Sequence, residues 1–183
     1  TDHIITAVNG STLRVLAKNT MNIQPGDPLE LWSYTGERLP DALAVNVSAP
    51  IGNATAEELA FLAEQDMNST YKEGNVGQAY EIEIDRDIDL PMGSLIGSIN
   101  RMGSGFKIIG CDFGFNRSRG ILIKASNGIV QSNRLEGCWG QAIKVSPEYW
   151  WLESGNASNL IISDNIITNC LSDGIAIYAT AGQ

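Results

Sequence analysis

From Phe106 to Tyr178 the apolar residues fall in short β-branched clusters separated by polar corners, and three phrases superpose. The first runs Ile108-Ile109-Gly110-Cys111-Asp112-Phe113 and resumes at Gly120-Ile121-Leu122-Ile123. The second runs from Gly128 to Cys138 and resumes at Ala142-Ile143-Lys144-Val145, and the third runs from Leu160 to Cys170 and resumes at Gly174-Ile175-Ala176-Ile177. Each reads as a short strand, a polar corner, and a small residue leading into another short strand. The step from Asp112 to Asn133 is 21 residues, and from Asn133 to Asn165 it is 32. The excess is one insertion, roughly Ser146 to Ser158. A repeat of about 20 residues with this content predicts a parallel β-solenoid, whose coils bury their apolar edges only by stacking on one another. The expected register places Ile109, Val130 and Ile162 at one level, Asn133 over Asn165 at a corner, and Cys138 over Cys170 as free thiols, since stacked positions rarely meet disulfide geometry.

Upstream, the pattern changes to alternation with turn signals. Ile4 to Val8 leads through Asn9-Gly10 to Thr12–Leu16, a hairpin signal. Pro25-Gly26 and Thr35-Gly36 punctuate further alternating runs at Leu29–Tyr34 and Ala42–Val47. These short strands predict a small antiparallel barrel or sandwich. One helix is expected from Thr55 to about Met67. It opens on the capping box Thr55-Ala56-Glu57-Glu58 and carries an apolar stripe of Leu59, Leu62, Ala63 and Met67. Tyr80–Ile84 alternates as a half-exposed strand, and Asp85-Arg86-Asp87-Ile88-Asp89 reads as a solvated turn, because it lacks the glycine and terminal glutamate of a calcium loop. The expected class is therefore all-β. Residues 1–95 form a small barrel-like domain with the helix at 55–67, and residues 96–183 form a right-handed parallel β-helix of the pectate-lyase-like kind. The short run of coils reads as a fragment of a longer chain.

Composition narrows the functions. Net charge is −9 and 43% of residues are hydrophobic, which supplies a core and argues against nucleic-acid binding. No apolar run is long enough to span a membrane. Sequons at Asn9, Asn46, Asn53, Asn68, Asn116 and Asn156 point to a secreted glycoprotein. No cofactor or metal is expected.

A solenoid is a scaffold, so function lies in what projects from it. Arg117 and Arg119, at i and i+2 on an extended corner, point the same way and can grip carboxylates or sugar hydroxyls. The insertion Pro147-Glu148-Tyr149-Trp150-Trp151-Leu152-Glu153-Ser154-Gly155 carries two of the four tryptophans beside two carboxylates. Flat aromatic faces and acids are what a carbohydrate site needs. Glu153, Glu148 and the corner acid Asp112 are the candidate catalytic residues, and Arg117, Arg119, Trp150 and Trp151 the candidate substrate-binding residues. Asp164 and Asp173 are further corner acids. Spacing alone allows either the inverting or the retaining geometry.

The order Asn116-Arg117-Ser118-Arg119-Gly120, Gln141-Ala142-Ile143-Lys144-Val145, Trp151-Leu152-Glu153-Ser154-Gly155 and Asp164-Asn165-Ile166-Ile167 resembles glycoside hydrolase family 110. These are exo-acting α-1,3-galactosidases with a right-handed β-helix and an inserted small barrel. The resemblance covers about residues 100–178. It implies an inverting, metal-independent hydrolase of an α-linked galactoside-type glycan, with Arg117, Arg119, Trp151 and Glu153 bordering the sugar. Where that family has aspartates before the tryptophans, this sequence has Ser146-Pro147-Glu148. Two other readings stand beside it: a non-catalytic carbohydrate-binding or adhesin module, with the same aromatics but no acid pair, and a polysaccharide lyase, which needs a Lys or Arg base and clustered acids for calcium, offered only by Asp85, Asp87 and Asp89 outside the solenoid. The expected partners are a carbohydrate and, at the open C-terminal coil, the remainder of the chain or another subunit.

Overall fold

The computed structural model describes residues 2–18, 20–64, 76–148, 151–153, 155 and 157–178. It divides into two compact units, one of residues 1–101 with 149–154 and one of 102–148 with 155–183.

The first unit holds β1 (His3–Asn9), β2 (Thr12–Lys18), β3 (Pro28–Trp32), β4 (Arg38–Val47), β5 (Gly52–Asn53), α1 (Ala56–Glu64), β6 (Val76–Ile84) and β7 (Leu95–Ser98). The strand order is β2-β1-β7-β3-β4-β6-β5, and β6 also pairs with β2, which closes the sheet into an antiparallel barrel. Ile5, Leu13, Val15, Leu29, Leu31, Ile82, Ile84 and Ile96 fill it. Local chemistry sets the corners: Gly10 (φ 62°) turns β1 into β2, and Pro25-Gly26 forms a turn closed by Asp27 N–H donating to the Gln24 carbonyl at 3.1 Å, with Gly26 at φ 87°. In the acidic run after β6, Asp85 Oδ1 accepts the Leu43 N–H at 3.0 Å, so this carboxylate serves the backbone. The boundary expected near residue 95 falls inside β7, which lies between β1 and β3.

The capping box forms as read. Thr55 Oγ1 accepts the Glu58 N–H at 3.2 Å, and Glu58 Oε2 accepts the Thr55 N–H at 2.7 Å. Glu58 Oε1 also accepts Thr6 Oγ1–H at 2.5 Å and Arg14 Nε–H at 2.7 Å, which ties α1 to the barrel. Burial first pushes the Glu58 carboxyl up, but the hydrogen bonds from Arg14, Thr55 and Thr6 outweigh it and hold it at about 2. That tether also corrects the expected stripe. The buried face is Glu58 and Leu62, while Leu59 and Ala63 are exposed, because fixing Glu58 inward fixes the rotation of the helix. Met67 lies outside the described residues.

The second unit repeats one coil three times. The first coil is β8 (Lys107–Ile109), β9 (Asp112–Gly114) and β10 (Ile121–Ile123), and the second is β11 (Ile129–Gln131), β12 (Arg134–Glu136) and β13 (Ile143–Val145). The third is β14 (Ile161–Ser163), β15 (Ile166–Thr168) and β16 (Ile175–Ile177). Three parallel sheets result, β8-β11-β14, β9-β12-β15 and β10-β13-β16. Ile121, Ile123, Val130, Leu135, Ile143 and Val145 point inward and form the core. On the third coil, Ile161, Ile166, Ile175 and Ile177 are exposed.

Each coil bends at three residues with left-handed backbone, and these stack in rows. The rows are Gly105, Asn127, Asn159; Gly110, Ser132, Asp164; and Phe115, Gly137, Asn169. The true steps are therefore 22 and 32 residues. Val130 pairs with Ile162 as expected, but its partner on the first coil is Ile108, not Ile109. Ile109 faces outward, 49% exposed. The register slips by one because Cys111, not Asp112, occupies the level of Asn133. A one-residue slip turns every side chain to the opposite face. The cysteines are free; Cys138 is buried, Cys170 half-buried and Cys111 exposed. Cys170 is thus less covered than the stacked thiol the sequence predicts, as it sits on the third coil, whose edge is exposed.

Candidate functional site

The corner between β9 and β10 recurs between β12 and β13 and between β15 and β16. Trp139 N–H donates to the Asn116 carbonyl at 3.0 Å and Leu171 N–H to the Cys138 carbonyl at 2.9 Å. This parallel pairing puts Arg117, Trp139 and Leu171 at one level of successive coils. All three are exposed, Trp139 at 68%. Two residues before Arg117, Phe115 is 79% exposed although its backbone is left-handed at φ 57°, an unusual state for a bulky residue. Its ring lies over Gly137, where an added Cβ would sit 2.8 Å from it.

Beyond the corner, the outward positions of β10 and β13 carry an ion cluster. Leu122 and Lys144 are register partners pointing away from the core, and Lys124 follows on the same face. Glu148 lies just after β13 and is buried. Its Oε1 accepts Arg119 Nη2–H at 2.5 Å and Lys144 Nζ–H at 3.4 Å, and its Oε2 accepts Lys124 Nζ–H at 3.3 Å. Lys144 Nζ also stands 5.4 Å from the centre of the Tyr178 ring. Arg119 Nη1 donates to Ser118 Oγ at 3.2 Å, while its Nε is buried with no hydrogen-bond acceptor among the described residues. Gly155 packs against this region. A Cβ there would come within 1.7 Å of the Lys124 carbonyl oxygen, so the glycine allows a close approach of two backbones.

The residues expected to form a site are thus distributed. Arg119 and Glu148 are joined directly, and Arg117 lies on the neighbouring corner row. Asp112 is on another sheet, on the outer surface of β9, at the level of Arg134, which pairs with Glu136 at 2.6 Å. Asp112, Phe115, Arg134 and Glu136 line a shallow groove there. Trp151 and Glu153 belong to the first unit, where Lys18 Nζ donates to the Trp151 carbonyl and lies 3.9 Å from Glu153 Oε1. Trp150 is outside the described residues. Asp164 accepts from Gln131 Nε2 at 3.2 Å, and Asp173 is exposed.

Sequence reasoning missed Trp139, Lys124 and Lys144. Trp139 had a signal, a lone aromatic between Cys138 and Gly140 where a coil corner is due. The lysines had none, since their convergence depends on the register of β10 against β13. Among the sequons, Asn9, Asn46 and Asn53 are exposed. The Asn116 amide instead donates inward to the carbonyls of Arg119 and Gly120, each at 3.4 Å. Asn68 and Asn156 lie outside the described residues.

Residues 93–183 match the family model described as right handed beta helix region. The second unit is a right-handed parallel β-helix, preceded by the antiparallel barrel. The match supports the broad β-helix superfamily, a coarser grouping than the α-1,3-galactosidase family that the motifs resemble. No curated protein matches the sequence.

Proposed function

We propose that this chain is a secreted, carbohydrate-active β-helix protein that binds glycan along the row Arg117–Trp139–Leu171 and the adjoining Arg119–Glu148 cluster. One observation carries the reading: an exposed tryptophan stands one coil from an exposed arginine, beside polar side chains already held in place. A sugar offers CH faces to an indole and hydroxyls to guanidinium and carboxylate, so the pairing suits it. The exposed sequons at Asn9, Asn46 and Asn53 favour secretion. Trp139→Ala tests the reading in calorimetric titrations of the 183-residue chain with galactose-containing oligosaccharides. Loss of stacking weakens binding about tenfold, roughly 1.4 kcal/mol. Unchanged affinity would remove the corner from the site.

A second, hydrolytic reading rests on Glu148, a carboxylate held in a fixed position by Arg119, Lys124 and Lys144 beside the exposed corner row. In that reading the substrate is an α-linked galactoside-type glycan cleaved with inversion. Glu148→Gln then loses turnover and keeps binding. Binding without turnover in the parent supports a non-catalytic module.

A further inference from the structure

At Phe115 the sheet of β9, β12 and β15 bends into the corner that carries Arg117. The same bend is made by Gly137 and Asn169 on the next two coils, residue types that adopt left-handed backbone readily. The first coil instead places a phenylalanine there and leaves it exposed. Neither coil closure nor core packing calls for an aromatic at this position, and a ring held open on strained backbone marks a functional surface.

The ring borders the shallow groove on this sheet, and the two walls of that groove differ. Phe115 supplies an apolar wall and rests on Gly137. Asp112 and Arg134, register partners on β9 and β12, supply a polar wall with Glu136, whose Oε2 accepts Arg134 Nη2–H at 2.6 Å. Gly114 forms the floor. It shares its face of β9 with Asp112, and an added Cβ there would meet only the Glu136 carbonyl oxygen, at 3.6 Å, so the space above it is open. The groove encloses about 290 Å³, room for one ring rather than a chain. An apolar wall facing a rim of donors and acceptors matches a pyranose, which offers CH groups on one face and hydroxyls around its edge. Two carboxylates against one guanidinium turn away an anionic ring. Gly137, beneath Phe115, precedes Trp139 by two residues, about 7 Å of extended backbone, so neighbouring rings of one chain can reach both aromatics.

We infer that this groove is a second sugar subsite, which holds an uncharged hexopyranose of the same glycan that stacks on Trp139. The ligand is then an internal stretch of a neutral oligosaccharide, not a single terminal sugar. This inference rests on the glycan-binding reading and specifies its substrate class.

The test is calorimetry on the full chain with galactobiose, galactotetraose and tetragalacturonate. Two variants remove the subsite without removing a structural contact of the coil. Phe115→Asn installs a residue that the bend accepts, so it should melt at or above the parent, and Gly114→Val fills the floor from a position where a side chain fits. The expected result is that galactotetraose binds the parent about tenfold tighter than galactobiose does, the gain from one more stacked ring. That gain disappears in both variants, while galactobiose affinity stays unchanged. Tetragalacturonate binds parent and Phe115→Asn alike. Equal binding of the two neutral probes to the parent overturns the second subsite and leaves the glycan reading intact. A length gain that survives in both variants, with thermal melts unchanged, places the further ring elsewhere and also overturns it. A tetragalacturonate affinity that falls in Phe115→Asn overturns the uncharged class. Failure of all three probes to bind overturns this inference and the glycan reading together.

Discussion

Asn133 Nδ2 donates to Asn165 Oδ1 at 2.9 Å, and the same oxygen accepts the Asn133 backbone N–H at 3.0 Å. The pattern is repeated one coil earlier only in part. Asn133 Oδ1 accepts the Cys111 N–H at 2.9 Å, but Cys111 has no amide to complete the second bond. Asn133 Nδ2 also reaches the Ile108 carbonyl at 2.9 Å. Asn133 therefore links three levels of the solenoid from one buried side chain.

Two substitutions probe this ladder. Asn133→Ala strands the Cys111 N–H and the Ile108 carbonyl, so urea unfolding should show a loss of about 2–3 kcal/mol, the cost of unsatisfied buried groups. Cys111→Asn supplies the missing amide and should raise stability by about 0.5–1 kcal/mol. A destabilised Cys111→Asn protein would show that the ladder does not extend to the first coil.

The thiols separate by position. Burial, with the Cys170 thiol beside it, pushes the Cys138 thiol up, while Cys111 is exposed. A disulfide reagent at neutral pH should modify Cys111 quickly and Cys138 only on unfolding. Unfolded, unreduced protein should titrate three thiols, matching the three cysteines. Fewer would mean a disulfide has formed.

The coil was legible where residue type follows packing. Inward Val130 and Ile162 are β-branched and recur at one level, and the Thr55–Glu58 box needs only local bonds. The bends were not legible, because a left-handed residue is fixed by coil closure and the rows mix types: Phe115, Gly137 and Asn169 share one conformation. Without an asparagine at 111, the sequence pattern sets the first coil one residue out of register. At the site, the extended Arg117–Arg119 corner and Glu148 were visible in sequence. Which cations meet Glu148 follows from pairing across coils, which no local pattern records.

Acid should unfold the barrel in two stages. His3, the single histidine, accepts the Lys18 N–H at Nδ1 and donates from Nε2 to Asn22 Oδ1 at 2.7 Å, so the neutral ring fits. Burial, against the Asn22 hydrogen bond, lowers it from 6.5 to about 4. The unfolded chain thus binds the extra proton between pH 6.5 and 4, and stability falls as pH drops through that window, by about 3 kcal/mol in all. Glu58 follows with the same sign. Its folded value is about 2 against 4.5, so its contribution is full above pH 4.5 and is lost as pH falls toward 2. Denaturant midpoints between pH 7.5 and 4 should therefore decline in the parent. In His3→Gln the midpoint starts lower and stays nearly flat over that range. A parallel decline in both proteins would assign the first stage to other groups.

Glu148 gives the sharpest electrostatic expectation. Removing its carboxylate leaves Arg119, Lys124 and Lys144 facing one another with their shared acceptor gone. Breaking a buried pair costs about 3–5 kcal/mol; with cations 20–30% open to solvent, screening reduces this to roughly 2 kcal/mol for Glu148→Ala. The loss should depend on salt, because repulsion between partly open cations is screened within a Debye length of about 8 Å at physiological ionic strength. The Glu148→Ala deficit in urea unfolding should therefore be largest near 20 mM salt and shrink by about half at 1 M, while the Asn133→Ala deficit, which involves no charge, stays constant. Glu148→Gln keeps the shape and one acceptor oxygen, so it should fall between parent and Glu148→Ala and show the same salt trend. Equal deficits for Glu148→Ala at low and high salt would mean that Glu148 acts through packing, and that the cations do not load this face of the β-helix with positive charge.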